Sequence, residues 1–145
     1  MTTATLALVR VNKHFEAPAA RVFDAWLDPE TISHFMFGPH MRDEEIIHMI
    51  NEPRVGGTFS FLVRRDGQEI DHVGEYLTIA RPRKLAFTWG IAGSASSRIS
   101  IEITPAAAGC DLMLSHELHP ASAGQKDKIK ESWMKMLEAL ALTLG

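Results

Sequence analysis

The sequence predicts an α+β fold: a curved antiparallel β-sheet of six to seven strands around a long C-terminal α-helix, with two short helices after the first strand. Three observations support this prediction. Strand-like segments follow one another through the middle of the chain, turn residues separate them, and an amphipathic stretch ends the sequence. Because short connections join antiparallel neighbours, the strands should form a meander. A long amphipathic helix then needs a wide sheet to bury its apolar face.

Length and composition limit the possible classes of protein. The 145 residues suit one domain, 1–145, and 46% hydrophobic with 23% charged residues argues against disorder. A net charge of -3 with scattered basic residues gives no reason to expect nucleic acid. The single cysteine, Cys110, excludes an intrachain disulfide and is expected to be a small buried hydrophobe. No apolar run is long enough to span a membrane, so we expect a cytoplasmic protein.

The strand predictions rest on alternating side chains and on the turns between segments. In one segment Leu85, Phe87 and Trp89 alternate with smaller or polar residues, as expected for a sheet with one covered face. Turn pairs such as Asp66-Gly67 separate the segments. The predicted strands are Leu6–Phe15, Ile46–Asn51, Thr58–Arg64, Glu69–Ile79, Lys84–Gly90, Ser97–Thr104 and Cys110–Leu118.

Capping signals predict where the helices begin. Pro18 can occupy a first helical turn, and Asp28 is the expected N-cap of the second short helix. The long helix is predicted over Ser122–Leu144, with Ser122 and Gln125 in a capping-box arrangement. Its apolar face repeats at steps of three and four residues and consists of Ile129, Trp133, Leu137, Leu140 and Leu144.

Several short motifs carry a family resemblance from about Val9 to Leu144. They include Phe15-Glu16-Ala17-Pro18, Pro53-Arg54-Val55-Gly56-Gly57, Gly74-Glu75-Tyr76-Leu77 and Pro82-Arg83-Lys84-Leu85. Together they resemble the START-like (SRPBCC, Bet v-type helix-grip) superfamily, and within it the homologues of the heat-shock protein 90 ATPase activator C-terminal domain. The resemblance implies a cavity between sheet and helix, and a chaperone partner as one option. Members usually carry a tryptophan pair where this chain has Met36-Phe37, which keeps the cavity entrance apolar.

A cavity of this kind is the predicted ligand site, because a strongly bent sheet around one helix can leave space unfilled. Ordinary core packing would explain any single one of the large inward residues equally well, since burial alone stabilises each by roughly 1.5–3 kcal/mol. The predicted lining is Phe35, Phe37, Phe59, Phe61, His72, Tyr76, Phe87, Trp89, Ile101, Trp133, Met136, Leu137 and Leu140.

Catalytic and metal motifs are not recognised in the sequence, and no cofactor is predicted. His72, Glu75 and Tyr76 are weak catalytic candidates; Glu75 could act as an acid or base if it pointed inward, and an outer-face position explains it equally well. His116 and His119 should point to opposite faces of a strand, so a shared metal is not predicted.

Three functions remain open at this point. The leading hypothesis is binding of a small hydrophobic or amphipathic molecule in the cavity. The alternatives are a chaperone-associated protein-interaction domain and a cyclase- or hydrolase-type enzyme that uses the same cavity. A homodimer is one further option for this fold.

Overall fold

The computed structural model describes residues 7–38, 44–93 and 96–144. After strand β1 (Ala7–Phe15) come two short helices, α1 (Ala19–Ala25) and α2 (Pro29–Phe37), and a 3-10 turn (Pro120–Gln125) precedes the last helix, α3 (Lys126–Leu144). The strands between them are β2 (Glu45–Asn51), β3 (Thr58–Arg65), β4 (Gln68–Ala80), β5 (Lys84–Ile91), β6 (Ser97–Ala106) and β7 (Gly109–Leu118).

This order confirms the predicted fold class. The predicted strands agree with the observed ones to within two residues at each described end. Leu6, the predicted first residue of β1, lies outside the described residues. Asp28 caps α2 as predicted, because its Oδ2 accepts hydrogen bonds from the Thr31 hydroxyl at 2.6 Å and the Thr31 amide at 3.4 Å.

The seven strands form one antiparallel sheet in the order β1-β7-β6-β5-β4-β3-β2. The strands from β2 to β7 are the predicted meander, in which chain neighbours are sheet neighbours. β1 instead pairs with β7, from Ala7 opposite Leu118 to Phe15 opposite Cys110. The edges of the sheet are therefore β1 and β2. β1 is the one strand of this sheet that precedes the two short helices along the chain.

Helix α3 packs its apolar face against the sheet. Trp133, Leu137 and Leu140 are almost fully buried, while Lys130 and Glu131 on the other side are exposed. The same core includes Cys110, which is buried as a free thiol, as predicted. Each such large side chain contributes roughly 1.5–3 kcal/mol by burial, which explains why the stripe predicted from the sequence determines the position of this helix.

The predicted start of the long helix is wrong by four residues. The α-helix begins at Lys126, and Ser122 lies within the preceding 3-10 turn instead of capping an α-helix. The Ser122 amide donates to the His119 carbonyl at 2.8 Å, a bond between residues three apart that belongs to this tighter turn. Gly124 lowers the helical propensity of the segment, and 3-10 turns are common where α-helices begin.

Gly74 in β4 permits a close approach between the sheet and an aromatic ring. A Cβ atom at this position would lie 1.9 Å from the Thr88 carbonyl oxygen and 2.4 Å from the Phe59 ring. Neither neighbour can move easily, because one is backbone in β5 and the other is a buried ring. The absence of a side chain at position 74 therefore allows Phe59 to lie flat over β4.

We expect Gly74→Ala to lower the free energy of unfolding by about 1–3 kcal/mol, the usual range for overpacking a core. Urea denaturation measures the change. Gly124→Ala is the matched control, because a Cβ there meets no atom within 4 Å. Equal stabilities of the two variants would contradict this account of Gly74.

Candidate functional site

The interior between α2 and the sheet, which several of the predicted lining residues border, is packed. The void that the described residues leave there is about 10 Å³, which is at or below the space that one water molecule requires. Aromatic rings fill the region: Phe59 stacks on Phe61 at 4.8 Å between centroids and meets Phe87 edge-on at 5.8 Å. The residues that border this inner void are Trp26, Ile32, Met36, Phe59, Phe61, Tyr76, Phe87 and Trp89.

A larger space, which we call the open cavity, lies between the first turns of α3 and the adjacent ends of β5, β6 and β7. Its volume is about 440 Å³, within the range of roughly 300–1,000 Å³ that is usual for small-molecule sites. The sheet contributes Trp89, Gly90, Ile91, Ser97, His116 and Leu118, and the segment after β7 contributes His119, Ser122, Gln125, Lys128, Ile129, Ser132, Trp133 and Met136.

The predicted lining residues are divided between these regions. Trp89, Trp133 and Met136 border the open cavity. Phe59, Phe61, Tyr76 and Phe87 border the inner void, as does Trp89, which separates the two spaces. The remaining predicted residues pack elsewhere in the core; they are Phe35, Phe37, His72, Ile101, Leu137 and Leu140.

His116 forms the polar centre of the open cavity wall. The indole Nε1–H of Trp133 donates to His116 Nδ1 at 3.0 Å, and because an indole can only donate, Nδ1 must be the accepting nitrogen. The hydrogen of the neutral ring is then on Nε2, which donates to Ser97 Oγ at 2.6 Å. The Ser97 hydroxyl donates in turn to the Trp89 carbonyl at 3.0 Å. Each member of this chain of hydrogen bonds is thereby oriented.

Burial keeps this histidine neutral. The residue is only 5% exposed, and the loss of hydration lowers the pKa of His116 to about 4. From the sequence, His116 was considered only as a metal ligand, and its place in this hydrogen-bond network was not predicted. The signal was available, since His116 shares strand parity with the apolar residues Leu114 and Leu118 and therefore faces inward with them.

The weak catalytic candidates do not form a common site. The Tyr76 hydroxyl donates to Asn51 Oδ1 at 2.6 Å, and burial raises the pKa of Tyr76 to about 12. The Nδ1–H of His72 donates to the Phe61 carbonyl at 3.1 Å, and burial lowers the pKa of this imidazole. Glu75 is exposed on the outer face, so the inward position considered for it is wrong.

Within residues 7–38, 44–93 and 96–144 no cluster of three or more histidine, cysteine, aspartate or glutamate side chains is arranged to hold a metal ion. In the same ranges, none of the helices is both long and apolar enough to cross a bilayer.

A seven-stranded antiparallel sheet that holds a C-terminal helix, with two short helices after the first strand, defines the helix-grip class of folds. Within that class, the family model described as "Activator of Hsp90 ATPase homolog 1-like protein" (AHSA1) matches residues 16–145. The chain belongs to this family, and the resemblance stated from the motifs is confirmed. The comparison with curated proteins found no match.

Solved structures show the same fold at low sequence identity. A protein from Nitrosomonas europaea superposes with a TM-score of 0.81 at 16% identity, over 99% of this chain and 97% of that one. A protein from Chromobacterium violaceum gives 0.77 at 21% identity, over 93% and 94% of the two chains. The AHSA1-like protein from Aeromonas hydrophila gives 0.76 at 14% identity, over 94% and 91%. At such identities the likeness concerns the fold alone.

The lowered pKa of His116 predicts how stability depends on pH. Between the ordinary value of 6.5 and about 4 the unfolded chain binds a proton that the native protein does not, so stability falls as the pH falls. From pH 7 to pH 5 we expect this residue to account for a loss of about 2 kcal/mol. His116→Gln retains one donor and one acceptor but cannot titrate. The stability that this variant loses between pH 7 and pH 5 should therefore be smaller than that of the wild type by about 2 kcal/mol.

Urea denaturation of both proteins at pH 7 and pH 5 measures the difference. His72 contributes with the same sign, since burial lowers its pKa too, but it is present in both proteins and cancels. Identical pH dependence in the wild type and in His116→Gln would refute the assignment of a neutral His116.

Proposed function

We propose that this protein binds a small hydrophobic or amphipathic molecule in the open cavity. The observation that carries the proposal is the cavity itself, about 440 Å³ of space beside a region of the core where the described residues leave a void of only about 10 Å³. Its floor offers apolar surface, chiefly the partly exposed Trp89 and Met136. An apolar ligand that covers them removes that surface from water and gains about 25 cal/mol per Å².

The polar wall is compatible with such a ligand. His116 and Ser97 already satisfy each other and their neighbours, so covering them does not leave an unpaired buried group. The same bonds argue against catalysis by His116, because both ring nitrogens are engaged and a base with a pKa of about 4 is weak at neutral pH. The proposal includes a cytoplasmic location, where a free thiol such as Cys110 stays reduced.

We expect Ser132→Trp to fill the open cavity and to weaken binding of a neutral apolar probe, N-phenyl-1-naphthylamine, at least tenfold. Ser132 lines the cavity from α3, whereas Met134 on the same helix is 48% exposed and lines a separate surface groove. Met134→Trp is therefore the matched control, and its affinity should equal that of the wild type.

Fluorescence titration gives the dissociation constants, and thermal melts of both variants verify that the fold is retained. The proposal fails if the wild type does not bind the probe or if the two tryptophan variants bind it equally.

A second candidate function is a protein contact of the kind that the family description names, with an Hsp90-type ATPase. A separate surface favours it. Edge strand β2 exposes Ile46, Ile47 and Ile50, and Val55 follows them; Ile50 is 55% exposed. An exposed apolar edge strand can pair with an added strand of another chain. A homodimer, the other partner considered from the sequence, would use the same edge through two antiparallel β2 strands.

If this contact operates, the wild-type protein raises the turnover of a purified Hsp90-type ATPase, and Ile50→Glu removes most of that effect by placing a charge in the apolar edge. Leu142→Glu is the control, because Leu142 is 64% exposed but lies on α3, away from β2. Ser132→Trp should keep full stimulation, since it alters only the open cavity. Lack of stimulation by the wild-type protein would rule this candidate out.

A further inference from the structure

The lining of the open cavity includes one permanently charged side chain, and its charge is positive. Among the described residues that line it, Lys128 is the only lysine, arginine, aspartate or glutamate. The nearest acidic residues along α3, Asp127 and Glu131, line a different groove on the outer side of the helix. A molecule in the cavity therefore meets an ammonium group and no carboxylate.

The charge of Lys128 is available to a ligand. Within the described ranges no ion pair or hydrogen bond includes this side chain, which is exposed at the rim. Some other basic residues are paired; Lys135 contacts Glu131 at 3.4 Å, and Arg81 contacts Asp24 at 2.8 Å. A carboxylate that approached Lys128 would not have to displace an existing partner.

The position of Lys128 in α3 makes an anion still more favourable. The helix begins at Lys126, so Lys126, Asp127 and Lys128 all lie in its first turn, at the end where the helix dipole is positive. Asp127 lines the outer groove, and Lys128 lines the open cavity. Cations at this end of a helix are destabilising. A bound anion would reduce the repulsion between the lysines and the helix dipole, and it would itself interact favourably with that dipole.

We propose that the ligand of the open cavity is a single-chain amphiphile whose anionic head group pairs with Lys128, while its apolar chain covers Trp89, Ile129 and Met136. The inference rests on the proposed ligand-binding function and specifies the class of ligand. At the ~30 Å³ that a water occupies in the liquid, the cavity holds roughly 15 non-hydrogen atoms. A saturated carboxylate of about twelve carbons matches that size.

Three probes with the same chain test the charge preference: dodecanoate, dodecanol and dodecylammonium, the two ions below their micellar concentrations and dodecanol below its solubility limit. Two of the three tryptophans line the open cavity, so intrinsic fluorescence reports binding. At low salt we expect dodecanoate to bind about threefold to tenfold more tightly than dodecanol, the range of an exposed to partly desolvated charge pair. Dodecylammonium should bind most weakly, and added salt should reduce the preference for the anion.

The variants assign the preference to one residue. Lys128→Gln should reduce dodecanoate affinity to that of dodecanol and leave dodecanol binding unchanged. Lys130→Gln changes the net charge equally on the same helix but lies outside the open cavity, so it should behave like the wild type. Both lysines are exposed, and neither change threatens the core.

Failure of this inference differs from failure of the proposed function. Equal binding of dodecanoate and dodecanol to the wild type, or equal effects of Lys128→Gln and Lys130→Gln, would overturn the anionic ligand. In that case dodecanol binding that Ser132→Trp abolishes would still support the proposed function. If none of the three probes binds the wild type, both proposals are wrong.

Discussion

Burial of one face of α3 against the concave side of the sheet is the constraint on which the rest of the structure depends. Trp133, Leu137 and Leu140 leave water almost completely when this helix docks. A long apolar helix face needs a wide surface to cover it, and the seven-stranded sheet provides that surface. The pairing of β1 with β7 completes the sheet on the side where the helix contacts the first strand.

The same helix also explains why a cavity exists and where it lies. Toward its C-terminal end, large apolar residues such as Leu137 and Leu140 occupy the space against the sheet. Toward its start, Lys128 and Ser132, which are polar or small, line the open cavity beside Ile129, and Gln125 of the preceding 3-10 turn adds another polar side chain. They cannot fill the space opposite Trp89, because doing so would bury polar groups without compensating hydrogen bonds. The helix is therefore packed at one end and open at the other.

The fold was predictable because its signals are local and agree with one another. Alternation in strands, turn residues, the Asp28 cap and the stripe on α3 all lead to the same architecture. Which of the predicted lining residues border open space was not predictable in this way. It depends on how completely α2 fills the interior, and Phe35, Met36 and Phe37 from that helix are all buried there. Summed side-chain volumes across four elements decide that outcome, and no periodic pattern reports them.

In the wall of the open cavity, the orientation of His116 was predictable from the sequence but its hydrogen-bond partner was not. Strand parity places His116 on the inward face of β7. Its bond to Trp133 joins β7 to α3, and only the tertiary structure reveals that pairing. A buried polar group without a partner is costly. The indole Nε1–H of Trp26 is such a group, because it is buried and has no acceptor among the described residues. His116 avoids that cost by accepting from one side and donating to the other.

The electrostatic character of the open cavity follows from this arrangement. A histidine of ordinary pKa in the wall would add positive charge as the pH fell below neutrality, and the preference for a ligand would then change with it. Burial instead keeps His116 neutral down to a pH of about 4. The permanent charge of the lining is left to Lys128 at the rim, on a helix position that contributes nothing to the packed core. Under the proposed function, the class of ligand can therefore change with one exposed residue, while the fold depends on the buried face of the same helix.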